Sequence, residues 1–115
     1  MESFVKIPFQ VIDWPAVCKT IHPGERGTAY GQTLQLPALR LRMVTYTPGY
    51  LADHWCSKGH LVHCIAGSFV SELETGEAFI ITKGMSYIVS DGMSKHRSST
   101  SEGVELFIID GDFLK

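Results

Sequence analysis

The sequence predicts an all-β domain, a small antiparallel barrel or sandwich. Three observations carry this. From Ala38 onward, short β-prone runs recur at intervals of about 8 to 12 residues. Turn signals punctuate them: Pro48-Gly49, Glu74-Thr75-Gly76-Glu77, Lys83-Gly84 and Ser90-Asp91-Gly92. The run Ala38 to Thr47 alternates Leu39, Leu41 and Met43 against Arg40 and Arg42, the period of a half-buried strand.

The elements follow in order. Residues 4 to 12 (FVKIPFQVI) are apolar but broken by Pro8, which predicts an edge strand or extended arm. Asp13-Trp14-Pro15 reads as the start of a short helix, with Asp13 as cap and Pro15 in the first turn, stopped by His22-Pro23-Gly24. A glycine-marked loop leads into a strand over Ala29 to Leu36. That loop is not a phosphate loop, because no Gly-Lys-Ser/Thr follows it and no βαβ pattern surrounds it. Strands are then expected over 38–47, 52–56, 60–65 (ended by Gly67), 68–73, 78–82, 85–89 and 96–100. Val104 to Asp110 (VELFIID) closes the series as a nearly continuous apolar strand, expected to be buried on both faces.

Length and composition set bounds. At 115 residues the chain is expected to be one domain, with a barrel core over about 38–110 and an N-terminal arm over 1–37. A hydrophobic share of 44% with 19% charged residues fits a globular protein. A net charge of -2 without a Lys/Arg cluster argues against nucleic-acid partners. No apolar run approaches a membrane span and Met1-Glu2-Ser3 does not open a signal peptide, so the expected location is cytoplasmic. Cys18, Cys56 and Cys64 are odd in number and irregular in spacing, which fits reduced thiols better than a disulfide framework.

The chemistry concentrates between Gly49 and Gly67. His54 and Cys56, two residues apart, would share one face of an extended strand, and a turn at Ser57-Lys58-Gly59 would bring His60 beside them. His96 follows a later turn and supplies a fourth donor. Imidazole and thiolate together suit zinc, and also iron, copper or nickel. Cys64 shares the parity of His60 and reads as a small core residue, whereas His63 has the opposite parity and reads as outside or at a dimer interface. Asp53 is either a turn residue or a carboxylate supporting a ligating imidazole. Arg40 and Arg42 could bind a substrate carboxylate, but such a pair is more often the solvated side of a barrel strand. Tyr46, Tyr50 and Tyr87 are candidates for a cavity mouth, and nothing recruits Cys18 or His22.

This pattern resembles the small single-domain cupins, RmlC-like barrels of the double-stranded β-helix or jelly-roll type. Their first motif runs from a glycine through His-x-His to a glutamate and a second glycine; here Gly49, His54-Trp55-Cys56, His60 and Gly67 take those places. Their second motif runs from a glycine through a proline-glycine turn to a histidine; here it is Gly84, Ser90-Asp91-Gly92 and His96. Asp53-His54-Trp55-Cys56 also resembles the DHCW-type motif of uncharacterised cupins. The resemblance implies one divalent metal held by His54, Cys56, His60 and His96, and a homodimer. A thiolate in place of a carboxylate moves the site towards softer metals, zinc first. Two functions compete: an enzyme acting on a small polar molecule, and a binding or redox-sensing module whose metal is structural. A metal-free, ligand-binding barrel is the third reading. An open coordination position would favour catalysis and a closed shell of four protein donors would favour structure.

Overall fold

A computed structural model describes residues 6–115. Among the described residues there are eight strands: β1 (Thr20–Pro23), β2 (Thr28–Leu36), β3 (Leu39–Tyr46), β4 (His60–Leu73), β5 (Ala78–Thr82), β6 (Ser86–Val89), β7 (His96–Ser99) and β8 (Val104–Gly111). All pairings are antiparallel, in the order β1-β2-β3-β8-β4-β5, with β6 and β7 also on β4.

The 14-residue β4 is the spine. Its first half pairs with β8 and β6, and its second half with β5 and β7. Between the halves the register against β8 slips between Cys64 and Ala66, and Gly67 stands at φ +80°. A side chain at Gly67 would strike the Gly103 carbonyl, so this close crossing needs glycine. Gly67 therefore bends the strand instead of ending it. Inside the bend lies the core, with Phe69, Leu106, Val62 and Cys64 almost fully buried.

The expected strands over 29–36, 38–47, 78–82, 85–89, 96–100 and 104–110 form within a residue or two of their ends, and those expected over 60–65 and 68–73 are two parts of the single strand β4. Several local expectations are corrected. The N-terminal helix is only a 3-10 turn, Trp14–Ala16, and Asp13 makes no side-chain cap. Gln32 Nε2 donates to the carbonyls of Trp14 (2.6 Å) and Val17 (2.9 Å), and Trp14 packs edge-on against Phe107, so tertiary contacts take the chain off after one turn. His22 and Pro23 do not stop a helix but belong to β1, on the sheet edge where proline is tolerated. Of the edge strand or extended arm expected over 4–12, Lys6 to Ile12 forms no strand and is largely exposed, which leaves the arm; Phe4 and Val5 lie outside the described residues. Residues 52–56 make bends and one isolated bridge in place of a strand.

β8 is buried on one face only. Val104, Leu106, Ile108 and Asp110 point inward, and Glu105, Phe107 and Ile109 face the other way. The inward face ends on a carboxylate. β3 is inverted relative to the usual strand: Arg40, Arg42, Val44 and Tyr46 face the interior, so the expected solvated face of Arg40 and Arg42 is in fact the lining of the barrel.

Candidate metal centre

Two strand beginnings and one loop build the centre. His60 opens β4, paired with Val89, and His96 opens β7, paired with Leu73. Their exposures are only 7% and 4%. The segment before His60 is fixed from outside: Gly59 N–H donates to Asp91 Oδ1 and Gly92 N–H to the Ser57 carbonyl. A Cβ at Gly59 would lie 2.5 Å from Asp91 N, so the loop can press against the 90–92 turn only with glycine there. Cys56 reaches the site through two hydrogen bonds with His96, Cys56 N–H to His96 O (2.8 Å) and His96 N–H to Cys56 O (3.0 Å). Arg97, held by Glu72 at 3.0 Å, stacks 4.6 Å over the Trp55 ring and clamps the loop from the side.

Cys56, His60 and His96 thus converge, with their donor atoms within 4.8 Å of one another. His60 Nε2 lies 3.0 Å from His96 Nε2 and 4.0 Å from Cys56 Sγ. Tetrahedral zinc with bonds of about 2.05 Å to nitrogen and about 2.3 Å to sulfur needs donor separations of roughly 3.3 and 3.6 Å, so small side-chain shifts suffice. The tautomer also fits. His96 Nδ1 donates to the Ser94 carbonyl at 3.1 Å, which leaves the Nε2 lone pair facing the centre. His60 Nδ1 is buried without a hydrogen-bond partner, and the Asp110 carboxylate waits 3.8 Å behind it. The three residues form a group that could hold a metal ion.

The charges agree with that role. The Cys56 thiol is held down to about 5, first by the contact with His60 and then by that with His96. The same contact with Cys56 raises His96. Burial pushes Asp110 up, but the hydrogen bond from Arg40 and the charges of Arg42 and Arg40 outweigh it, leaving the carboxyl below its usual range. Arg40 donates to both oxygens, at 2.9 and 2.6 Å, and Arg42 adds a contact of 3.2 Å.

His54 does not join the cluster. Its side chain is 72% exposed and its Nδ1 lies 2.6 Å from Asp53 Oδ1. The parity argument that placed it beside Cys56 required a strand, and residues 52–56 are not one. Asp53 accordingly supports His54 at the rim and no residue of the centre.

A cavity of about 650 Å³ opens onto the group. Tyr87 lies edge-on to both imidazoles, with ring centroids 6.4 Å from His60 and 5.7 Å from His96. Tyr46 and Tyr50 stack at 4.2 Å along the wall, and burial raises all three phenols, Tyr50 to about 12. Cys64 is a core residue and His63 faces outward to Ser86 Oγ, as their parity requires. Cys18 is exposed, but β1 turns His22 and Thr20 towards the cavity. Sequence reasoning missed Asp110 and His22. Asp110 had a signal, because it shares the parity of Val104, Leu106 and Ile108 and so is a charge at a core position. His22 had none while its segment was read as helical.

No protein-family model matches the chain, and no curated protein is similar to it. Solved structures do match. A predicted oxalate decarboxylase from Thermotoga maritima superposes with a TM-score of 0.74 at 14% identity, covering 89% of this chain and 99% of the other. An RmlC-like cupin from Shewanella frigidimarina gives 0.71 at 16%, covering 84% and 85%. A sugar phosphate isomerase of the cupin superfamily from Silicibacter pomeroyi gives 0.69 at 13%, covering 89% and 75%. At these identities the likeness shows the fold, and the fold is the cupin barrel. Its neighbours include an isomerase and a decarboxylase, so it does not select a reaction.

Proposed function

We propose that this protein is a metal-dependent enzyme acting on a small polar molecule within the barrel. One observation carries the reading: three protein donors, not four, converge at the wall of a roomy cavity. With His54 turned to the rim, Cys56, His60 and His96 would hold the ion and leave a position open to the cavity. Zinc fits the donor set first, with iron, copper or nickel as the other candidates. A bound divalent ion supplies Lewis-acid polarisation of a substrate oxygen. The chain's own residues do the rest. Ser94 O fixes the His96 tautomer, and the Asp110 carboxylate, 3.8 Å behind His60 Nδ1, would accept that proton after a small approach. The raised phenol of Tyr87 stays protonated at neutral pH and can donate to a bound oxygen.

The half-buried Cys56 thiolate supports a second reading, a sensing module in which oxidation of the sulfur releases the metal. We also propose a homodimer through the outer face of the strands β2, β3, β8, β4 and β6. There Leu34, Leu41, Ile109 and Leu61 form one apolar row across four strands, continued by the exposed Ile88.

Elemental analysis of tag-free protein, followed by a hydrogen-peroxide challenge, separates these readings. About one equivalent of a transition metal that survives mild peroxide supports the enzyme; release in step with Cys56 oxidation supports the sensor. A folded protein that retains and takes up no transition metal would sink both.

A further inference from the structure

The interior wall beside the metal centre carries an under-partnered guanidinium. Three guanidinium groups line the cavity: Arg40, Arg42 and Arg97. Arg97 is neutralised by Glu72, and Arg40 takes both oxygens of Asp110 in a bidentate pair. Arg42 has the weakest pairing of the three. Among the described residues its contact, 3.2 Å, is to the Asp110 oxygen that Arg40 already holds at 2.6 Å, and its buried Nε–H, like that of Arg97, meets no acceptor. A guanidinium offers five donors, and leaving them unmet in a half-buried site is unfavourable.

The space beside Arg42 is kept open by the sequence of β2. The inward residues there are Ala29, Gly31 and Thr33, all small, with Thr33 directly opposite Arg42 in the ladder. Thr20 of β1 closes the far side at Gly31. The remaining walls are apolar, including Val44, Val62 and Ile108. Arg42 is also near the metal group, since Asp110 Oδ2 lies 3.2 Å from Arg42 Nη2 and 3.8 Å from His60 Nδ1.

We infer that Arg42 is the specificity residue for a short organic acid, whose planar carboxylate it receives while the rest of the molecule reaches the Cys56–His60–His96 group. A planar two-oxygen anion matches the fork of a guanidinium whose Nε–H is unmet, and the apolar walls take a short carbon body. The carboxylate contact stands on Arg42 alone; only the reach to the second group rests on the proposed metal centre.

The test is a titration, followed by NMR, of wild-type protein with acetate, lactate and malonate and their matched amides, in metal-free and zinc-loaded samples whose zinc content is measured. At least one acid should bind about tenfold more tightly than its amide. Arg42→Gln should bring that ratio close to one with zinc uptake unchanged, a result that mere loss of structure would not give. Asp110→Asn moves the other way: with the competing carboxylate gone, the acid-to-amide ratio should rise, and this variant carries the test if Arg42→Gln does not fold. Acids and amides binding alike or not at all, inorganic phosphate outcompeting every acid, or a preference that survives Arg42→Gln would overturn the inference. An acid preference in protein that takes up no zinc would uphold Arg42 and refute the metal reading alone.

Discussion

The two halves of the metal centre are built in opposite ways. His60 and His96 begin strands, are held by sheet ladders and are almost wholly buried, and Asp110 behind them is 1% exposed. His54 and Cys56 ride on a loop of bends, joined to the barrel by the Ala52–Ser98 hydrogen bond, the bridge from Cys56 to His96 and the Trp55–Arg97 stack. A strand fixes where its side chains point, because alternate residues must face alternate sides. In the loop, orientation follows from particular contacts instead. Cys56 turns inward because its backbone pairs with His96, while His54, two residues earlier, turns outward to Asp53. The strand half is fixed by the sheet, and the loop half depends on these few contacts.

The largest effects should fall on the three converging donors. Cys56→Ala, His60→Ala and His96→Ala should each lower zinc affinity by on the order of a hundredfold or more, read by competition with a chromophoric chelator. Equal retention in all three would mean that the convergence holds no ion.

Next comes the buried anchor. Asp110→Ala leaves Arg40 and Arg42 without their counter-ion and should cost about 3 kcal/mol in urea unfolding, part of the pair being solvent-screened at Arg40. The sign with pH follows from the lowered carboxyl. Its contribution is complete above the ordinary value of 3.8 and is lost as pH falls below it through the folded value, so wild type and variant should converge in stability in strong acid. A wild-type advantage that persists undiminished there would assign the effect to packing.

On the loop half the effects shrink. Trp55→Ala removes the stack with Arg97 and should cost about 1 kcal/mol, with a severalfold loss of zinc affinity as Cys56 loosens. His54→Ala should do least, changing stability by less than about 0.5 kcal/mol and leaving zinc affinity unaltered. A loss in His54→Ala as large as in His60→Ala would show that the loop closes on the ion and that both halves supply ligands equally.

The sequence by itself determined the barrel and most of its strands, because period-two alternation and glycine-bearing turns are local properties of the chain. It also brought Cys56, His60 and His96 under suspicion through their spacing between glycines. What it could not decide is which side of an alternating strand faces in. Leu39, Leu41 and Met43 have the pattern of a core face, yet Arg40 and Arg42 line the interior, because this barrel encloses a polar site and its outer face carries the apolar row. The partner that makes those arginines tolerable, Asp110, lies 70 residues from Arg40 in the chain. Only the β3–β8 pairing sets it opposite Arg40. His54 shows the same limit at short range. Parity predicts a direction only where a ladder enforces the strand, and at residues 52–56 β7 bonds only the two ends, Ala52 and Cys56.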